Sequence, residues 1–336
     1  MKYWAYFALV IIILTSSTVG AQTVPSSIPE YPSSIRVLFI RRDTAGNPDP
    51  LDAPYVVLSG PTAIPFESDY LPNVVHKEMT DSAYISAKEV QAITARGYAW
   101  HKQAYGQDPP NSFHDCFKAR LCDVTDSTAH QAYYPGIATS SDFAAVQNTS
   151  KLFLAWSNQG AIGGTVAFTE YSKSHPGDYT VAFSDLNKRP YLDSVYDPIQ
   201  GPFTGGHGRG MSQQGALRWE RGNSQLDQMG IRYPFWNRDQ ILAHYYASVH
   251  LQHPNGTLYW GNYRWNALSI DRGTFINGSF SDIRVILQNT GTVNWEANTK
   301  LSVYWLRCFE GNCTPFEQSA TVRRELVGHS IIKLGF

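Results

Sequence analysis

Residues 84–105 read YISAKEVQAITARGYAWHKQAY, and this stretch carries the clearest helix pattern in the chain. It is rich in alanine and other good helix formers and contains no proline. Thr80, Asp81 and Ser82 precede it as candidate N-cap residues. We therefore predict a helix from about Tyr84 to Tyr105, and its small residues favour close packing against another element.

Short strand patterns lie on both sides of this helix. Ile35–Ile40 and Tyr55–Leu58 have β-type composition, and a turn is expected at Gly60–Pro61. The remaining patterns are strands at Leu152–Trp156, Gly163–Phe168 and Tyr179–Phe183, and helices that begin near Met211 and cover Trp236–Ser248. Together they predict an α+β domain with a mixed β core and a few packed helices.

The texture changes after about residue 252, where turns rich in Gly and Asn separate runs of Val, Ile, Leu and Trp. Asp282–Leu287 and Leu301–Leu306 are strand patterns, and Asn289–Gly291 is a turn. The segment NTGTVNW, ending at Trp295, resembles part of the immunoglobulin-like modules found beside catalytic domains. We predict an α+β domain over 35–252 and a small all-β sandwich over 253–336, shorter than the usual length of about 100 residues.

Composition limits the function classes. The chain has 336 residues, of which 43% are hydrophobic, so bulk disorder is excluded. The formal net charge is -1, which provides no overall field toward polyanions. We therefore expect no nucleic-acid partner.

The N-terminus indicates the compartment. Met1–Lys2 gives a positive start, Ala5–Leu14 is an apolar run, and residues 19–21 form a small-residue cleavage site. We predict a signal peptide over residues 1–21, an uncleaved anchor being the alternative, and an extended proline-rich leader over residues 22–34. The mature protein is then secreted or held in the cell envelope, outside the cytoplasm, without being an integral membrane protein.

The stretch GGHGRGMSQQGA, Gly205 to Ala216, is the most informative for function. Such a density of glycine indicates a backbone that is closely approached or bent to positive φ. His207, in such a loop, is predicted to be a site residue. A phosphate-binding loop is disfavoured because the GxxxxGK[ST] arrangement is missing, and a Ser212/His207 nucleophile ranks last because there is no GxSxG elbow.

Three blocks in order carry a resemblance to a known family. They are LPNVVHKEM (Leu71–Met79) with AKEVQAITARGYA (Ala87–Ala99); HQAYYPG (His130–Gly136); and PYLDSV (Pro190–Val195) with GHGRGMSQQGA (Gly206–Ala216) and ILAHYY (Ile241–Tyr246). This chain resembles the SpoIID/LytB family of bacterial peptidoglycan enzymes and their amidase-enhancer relatives. The blocks span Leu71 to about Leu251, more than half of the mature chain.

The resemblance implies a lytic transglycosylase that cuts peptide-stripped glycan strands, with Glu78 as general acid/base. It also implies a substrate groove, for which we expect these residues: Gln91, Arg96, Tyr98, Gln131, Tyr133, His207, Met211, Ser212 and Gln213. Two structural alternatives stay open. Glu78 could instead stabilise the N-terminus of the helix that begins near Tyr84 through the helix dipole. Arg96 and Tyr98 could instead hold that helix against the β core. This chain departs from the family at Ser86, where the family has a second Glu, and at Gly97, where it has Thr.

The four cysteines form two close pairs. The resemblance implies a zinc site at Cys116, Cys122 and His130, because some members bind zinc near this block, and these ligand types suit zinc. The alternative is a local Cys116–Cys122 disulfide in an oxidising compartment. Cys308 and Cys313 are read as a hairpin disulfide. No cofactor is required for catalysis.

The sequence thus predicts a secreted cell-wall enzyme whose partners are peptidoglycan glycan strands and, in some settings, an amidase or another cell-wall protein. The alternative is a non-catalytic peptidoglycan-binding protein or amidase enhancer that uses the same groove, and Ser86 and Gly97 keep it open.

Overall fold

The computed structural model of the chain describes residues 13–15, 28–40, 57–79, 83–106, 115–156, 164–186, 189–197, 199, 204–222, 235–246, 249–261, 264–265, 283–288, 300–302, 306–309, 312–315 and 331–334. Its helices are α1 Leu71–Glu78, α2 Ile85–Tyr105, α3 Asp115–Lys118, α4 Ser140–Asn148, α5 Gln213–Arg221 and α6 Arg238–Tyr245, with a π-helical turn at Phe66–Tyr70 and a 3-10 turn at Pro190–Leu192. Its strands are β1 Ile13–Thr15, β2 Ser34–Ile40, β3 Val57–Pro65, β4 Val124–Thr125, β5 Phe153–Trp156, β6 Thr165–Val166, β7 Tyr171–Ser172, β8 Met211–Ser212, β9 His250–Gln252, β10 Leu258–Gly261, β11 Arg264–Trp265, β12 Ile283–Gln288, β13 Lys300–Ser302, β14 Leu306–Phe309, β15 Asn312–Pro315 and β16 Ile331–Leu334.

Helix α2 lies at the centre of the domain, and its bounds match the helix predicted from about Tyr84 to Tyr105. Tyr84 is its N-cap residue, and Gly106 ends it with a φ of 81°, a conformation that favours glycine. Fourteen of its 21 residues are buried, on more than one face. A surface helix buries only one stripe, so α2 is an interior helix surrounded by the other elements.

Gly97 explains how closely α2 approaches the chain beside it. A Cβ atom at this position would lie 2.5 Å from Thr169 Oγ1. The Thr169 hydroxyl also donates to the carbonyl of Thr94, at 2.6 Å. The glycine that replaces the family's Thr therefore makes room for a threonine from the neighbouring segment.

Two small sheets flank α2. One has the strand order β3-β2-β4, in which β2 pairs antiparallel with β3 and parallel with β4; the other has the order β10-β9-β5-β6 and is antiparallel. Trp100 of α2 packs edge-on against Phe153 of β5, with ring centroids 4.6 Å apart. Since helices and short sheets share one core, the mixed α+β class predicted for this domain matches the structure.

A third pairing, between β7 and β8, is parallel and two residues long. It aligns Tyr171 with Met211 and Ser172 with Ser212. This pairing brings the glycine-rich loop to the segment that follows β6.

Helices α1, α2 and α4 meet at a buried polar cluster around Asp142. Lys88 Nζ lies 2.7 Å from Asp142 Oδ1, and His76 Nδ1 lies 2.9 Å from Asp142 Oδ2. The Thr139 hydroxyl and main-chain amide also donate to Asp142, which completes a capping box at the start of α4. One carboxylate thereby joins three helices.

The structure corrects several boundaries predicted from the sequence. Strand β3 runs through Gly60 and Pro61, where a turn was expected, and register shifts in its pairing with β2 absorb the irregularity. The leader packs on the core at Tyr31, whose ring lies 5.0 Å from that of Trp100. Strand β10 extends the sheet of the first domain past the predicted boundary at residue 252.

The C-terminal region contains a β11-β12-β16 sheet and a β14-β15 hairpin, all antiparallel. Strand β12 matches the strand predicted at 282–287, whereas residues 303–305 of the other predicted strand and the turn at 289–291 lie outside the described residues. Backbone register places Cys308 opposite Cys313, as a hairpin disulfide requires, but their side chains lie outside the described part. The immunoglobulin-like sandwich stays a prediction.

Most of residues 1–21 also lies outside the described part. The exception is β1, which pairs with β13. Cleavage after residue 21 would remove β1. Nothing in the described residues tests this cleavage, so the signal peptide stays a prediction. Among the residues that the structure describes, no helix combines the length and the apolar character that crossing a bilayer requires.

Candidate active site

Glu78 is the last residue of α1, and its carboxylate is held by two neutral donors. The main-chain amide of Ala132 donates to Oε1 at 2.7 Å, and Nε2 of Gln213 donates to Oε2 at 3.1 Å. These donors are 54 and 135 residues away along the chain. The three sequence blocks therefore converge on one carboxylate.

The surroundings of Glu78 favour its protonated form. Burial raises the pKa of Glu78 above its ordinary value, although the Ala132 amide, Gln213 and Lys77 oppose the shift. Glu78 as a whole residue is half-buried, at the end of α1. A carboxyl group with a raised pKa is suited to general acid catalysis near neutral pH.

Gln213 and Gln91 form a pair behind Glu78. Gln213 Nε2 lies 3.4 Å from Gln91 Oε1 as well as 3.1 Å from Glu78. Because its amide faces two acceptors, the side chain has one favourable orientation. Gln91 is fully buried, and its own Nε2 has no hydrogen-bond partner among the described residues. Such an orphaned donor is unusual in a protein interior.

Gln131 fixes the segment that supplies the Ala132 amide. Its Oε1 accepts a hydrogen bond from the Tyr70 hydroxyl at 2.8 Å. Its Nε2 donates to the Tyr171 hydroxyl at 3.0 Å and to the carbonyl of Ala95 at 3.2 Å. Gln131 is fully buried, so it acts on Glu78 by orienting the main chain of the next residue.

Tyrosines line the same region. Burial raises the pKa of Tyr171, and the negative charge of Glu78 is the next cause. Burial likewise raises the pKa of Tyr70 and Tyr98, with Glu78 among the minor causes. The raised pKa values keep these hydroxyls neutral near the carboxylate.

The glycine-rich loop has the features that its composition predicts. Gly205, Gly206, Gly208 and Gly210 all have positive φ. A Cβ at Gly206 would collide with Ser172 Oγ, and one at Gly210 would collide with the carbonyl of Glu170. The glycines thus let the loop pack directly on β7, which delivers Gln213 to Glu78.

Three predicted groove residues have mainly structural contacts. Arg96 is fully buried; its Nε and Nη2 bind Glu67 at 2.7 and 2.9 Å, and its Nη1 binds the carbonyl of Leu152. Tyr98 stacks on Phe168, with ring centroids 4.8 Å apart. These contacts support the bracing alternative for Arg96 and Tyr98.

Tyr133 also points away from Glu78. Its hydroxyl donates to Asp69 Oδ1 at 3.0 Å, and its ring stacks on Tyr70. It therefore supports Tyr70, which in turn contacts Gln131.

The other predicted residues of the loop divide in the same way. Met211 is fully buried in the hydrophobic core, and Ser212 caps α5 by accepting the amide of Gly215 at 2.9 Å. His207 is exposed, and its Nδ1 accepts the amide of Arg209 at 3.0 Å. Among the loop residues proposed for the groove, Gln213 is the one that touches Glu78.

The structure replaces the zinc prediction with its alternative. Cys116 and Cys122 are joined in a disulfide, with Cα atoms 5.4 Å apart, so their sulfurs are not available as thiolate ligands. His130 Nδ1 accepts the main-chain amide of Thr125, and burial lowers the pKa of His130 to about 3. In the described part of the chain no group of three His, Cys, Asp or Glu side chains could hold a metal ion.

Sequence reasoning missed two buried acidic residues. Glu220 of α5 faces the first amides of α2, the role considered for Glu78; burial raises the pKa of Glu220, and the amides of Ala87 and Ser86 oppose this. Asp197 accepts hydrogen bonds from Tyr245 and Trp219 and contacts His175 at 3.1 Å beneath the glycine-rich loop. Neither has a local sequence signal, since their partners lie far away along the chain.

Residues 62–156 match the profile of the family described as SpoIID, stage II sporulation protein. The chain carries a SpoIID domain. No curated protein matches the chain. The match confirms the family resemblance and contains the first two blocks, including Glu78, Gln91 and Gln131. The third block lies beyond the matched residues, and the contact of Gln213 with Glu78 connects it to the SpoIID domain.

The SpoIID match over residues 62–156 suggests a cell-wall related role for this domain, because the SpoIID family is associated with lysis of peptidoglycan. The geometry adds a specific candidate for the chemistry. Glu78 combines a pKa raised by burial with two neutral hydrogen-bond donors.

Proposed function

We propose that this protein is a lytic transglycosylase that cleaves the glycan strands of peptidoglycan, with Glu78 as general acid and then general base. The observation that carries the proposal is the position of the Glu78 carboxylate between the Ala132 amide and Gln213 Nε2, with a raised pKa, on a half-buried residue. Cleavage of a glycosidic bond requires an acid that is protonated at the working pH.

One carboxyl group can complete this reaction. Protonated Glu78 gives its proton to the glycosidic oxygen, and the bond between that oxygen and C1 breaks. The C6 hydroxyl of the same sugar forms the new bond to C1 and passes its proton to the Glu78 carboxylate. The products are a free hydroxyl and a 1,6-anhydro sugar, no water is consumed, and Glu78 ends protonated as it began. This balance is compatible with Ser86 in place of a second Glu.

The neighbouring donors fit both halves of this cycle. The Ala132 amide and Gln213 stabilise the carboxylate after it has lost its proton, whereas burial favours its reprotonation. A group that alternates between acid and base needs both forms to be accessible in energy.

The location follows as part of the same proposal. The predicted signal peptide would send the protein out of the cytoplasm, where its substrate lies. The Cys116–Cys122 disulfide supports this location, because disulfides persist in oxidising compartments.

The test is mass spectrometry of products from intact and amidase-treated peptidoglycan, incubated with the protein and with Glu78→Gln. We expect anhydromuramyl ends from the wild type, and a loss of about 10²–10⁴-fold in rate for the variant. Glu89→Gln, on α2, is the matched control, since Glu89 contacts Asn148 and Arg238 instead of the site.

Three outcomes would change the conclusion. Reducing ends in place of anhydromuramyl ends would mean hydrolysis, and full activity of Glu78→Gln would remove Glu78 from the mechanism. Retention of glycan without any cleavage would support the non-catalytic binding role, which the Ser86 departure favours.

A further inference from the structure

Tyr179 and Tyr196 form an exposed aromatic pair beside the glycine-rich loop. Tyr179 is 56% exposed and Tyr196 is 37% exposed. Their backbones meet in an antiparallel bridge, and their ring centroids lie 5.1 Å apart at an interplanar angle of 50°. Adjacent strand positions therefore hold the two rings next to each other on the surface.

Val181 extends this apolar surface. It is 37% exposed and lies two residues beyond Tyr179, on the same side of an extended segment. We call Tyr179, Val181 and Tyr196 the tyrosine platform. Single exposed apolar side chains are normal, whereas neighbouring ones form the kind of surface that interaction sites use.

The tyrosine platform adjoins the glycine-rich loop, which leads to the site of Glu78. Val181 pairs with Arg209 in a parallel bridge, and its amide donates to the carbonyl of Gly208 at 2.9 Å. The same loop presents the exposed His207 and then leads into Gln213, which contacts Glu78. A polymer bound at Glu78 and lying along this loop would reach the platform.

The chemistry of the platform suits a sugar. A tyrosine ring offers a rigid apolar face with a polar hydroxyl at its edge, and a pyranose offers an apolar face of C–H groups with hydroxyls around it. The three side chains of the platform carry no charge at neutral pH, so they do not select for a charged ligand.

We propose that the tyrosine platform is a distal subsite that stacks a sugar ring of the glycan strand, several residues from the bond that is cleaved. This inference rests on the proposed function, because it assumes that the glycan occupies the Glu78 site. It predicts that the platform contributes to binding only of glycan chains long enough to reach from Glu78 to Tyr179 and Tyr196.

The test measures binding separately from cleavage. In the full chain carrying Glu78→Gln, affinities for chitohexaose and chitobiose are compared by calorimetry for three variants: the double replacement Tyr179→Ala/Tyr196→Ala, the double replacement Tyr179→Phe/Tyr196→Phe, and Phe143→Ala. Phe143 is 45% exposed on α4, so it controls for the loss of an exposed aromatic ring elsewhere. Circular dichroism checks that each variant is folded.

We expect the Tyr→Ala pair to weaken chitohexaose binding by about tenfold, the change expected when a stacked aromatic face is lost. Chitobiose binding should change less, and the Tyr→Phe pair and Phe143→Ala should bind chitohexaose like the parent. Equal affinity of the folded Tyr→Ala pair for chitohexaose would overturn the proposal. So would an equal loss for chitobiose and chitohexaose, since it would indicate a general effect on the site.

The two proposals fail in different ways. Cleavage by the wild type together with unchanged binding by the Tyr→Ala pair would reject the platform and retain the enzyme. Absence of cleavage together with a tenfold loss of chitohexaose binding would reject the transglycosylase and retain the platform. Capture of a protein through the platform, with no effect of the tyrosines on sugar binding, would also overturn the subsite.

Discussion

Glu78 and Asp142 are carboxylates at helix junctions of the same domain, and they differ in the charge of their partners. Glu78 accepts hydrogen bonds from a main-chain amide and a glutamine, both neutral. Asp142 contacts the Lys88 ammonium and His76 in addition to Thr139. Burial raises the pKa of both, but at Asp142 the Lys88, Thr139 and His76 hydrogen bonds outweigh it and hold the pKa below its ordinary value.

The difference separates a carboxylate that can exchange a proton from one that cannot. The Lys88 ammonium in contact with Asp142 keeps this carboxylate ionised at physiological pH, so the role of Asp142 is structural. Two neutral donors leave the proton of Glu78 available for transfer. Both side chains contact helices of one domain. Their different roles follow from the charge of their hydrogen-bond partners.

The largest expected effect is on stability at Asp142. Asp142→Asn leaves the Lys88 ammonium buried without its counterion, and Lys88 is 3% exposed. Breaking a buried pair in this way costs about 3–5 kcal/mol. Urea unfolding of the full chain measures this change in the free energy of unfolding.

The matched control is Asp115→Asn, because the Asp115–Lys118 pair is exposed on α3. An exposed pair contributes about 0–1 kcal/mol, so this variant should unfold like the wild type. If Asp142→Asn also unfolded like the wild type, the structural assignment of Asp142 would be wrong.

The pH dependence of stability should have opposite signs at the two residues. The lowered pKa of Asp142 contributes stability above the unfolded value near pH 4, and this contribution is lost as the pH falls through the folded value. The raised pKa of Glu78 has the reverse effect: stability falls as the pH rises from the unfolded value to the folded one. Melting temperatures of Asp142→Asn and Glu78→Gln between pH 3 and pH 7 should show this.

A Glu78→Gln variant that lost stability relative to the wild type as the pH rose would contradict a raised pKa. The expected result is a small relative gain toward neutral pH. This gain would accompany the loss of activity, whereas Asp142→Asn loses stability.

The smallest expected effect is a shift of the pH–rate profile. Gln213→Leu keeps the size of the side chain but removes a donor to the ionised form of Glu78, so the pKa of Glu78 should rise. The limb where activity falls with rising pH should then move upward by about one unit. The control is Gln214→Leu, since the Gln214 amide contacts Thr204 instead of Glu78. An unmoved limb in Gln213→Leu would mean that Gln213 does not control this pKa.

The sequence predicted helix α2, strands β2 and β5, and the mixed α+β class, because local composition and periodicity determine those elements. It missed α4, although Thr139 and Asp142 form the capping box that begins it. It also placed no helix at α1, whose first residues include a proline and whose end carries Glu78. A short helix has a weak periodic signal, and packing against α2 stabilises it.

The site was predicted in part for the same reason. Motif positions identified Glu78, Gln91, Gln131 and Gln213, and the structure joins all four through hydrogen bonds or an adjacent amide. The partners of Arg96 could not be predicted, since Glu67 and Leu152 become neighbours only when α2 is packed. The choice between disulfide and zinc at Cys116 and Cys122 also depended on folded geometry.

The hydrogen bond from Ala132 has a consequence for how this site tolerates sequence drift. Its donor belongs to the peptide backbone, so any residue except proline at position 132 supplies the same N–H group to Glu78. One of the two donors that lower the pKa of Glu78 is therefore not detected when only side-chain identities are compared between sequences. A relative could have another residue at position 132 and keep the same pKa at Glu78, provided that Gln131 still fixes the main chain that carries this amide.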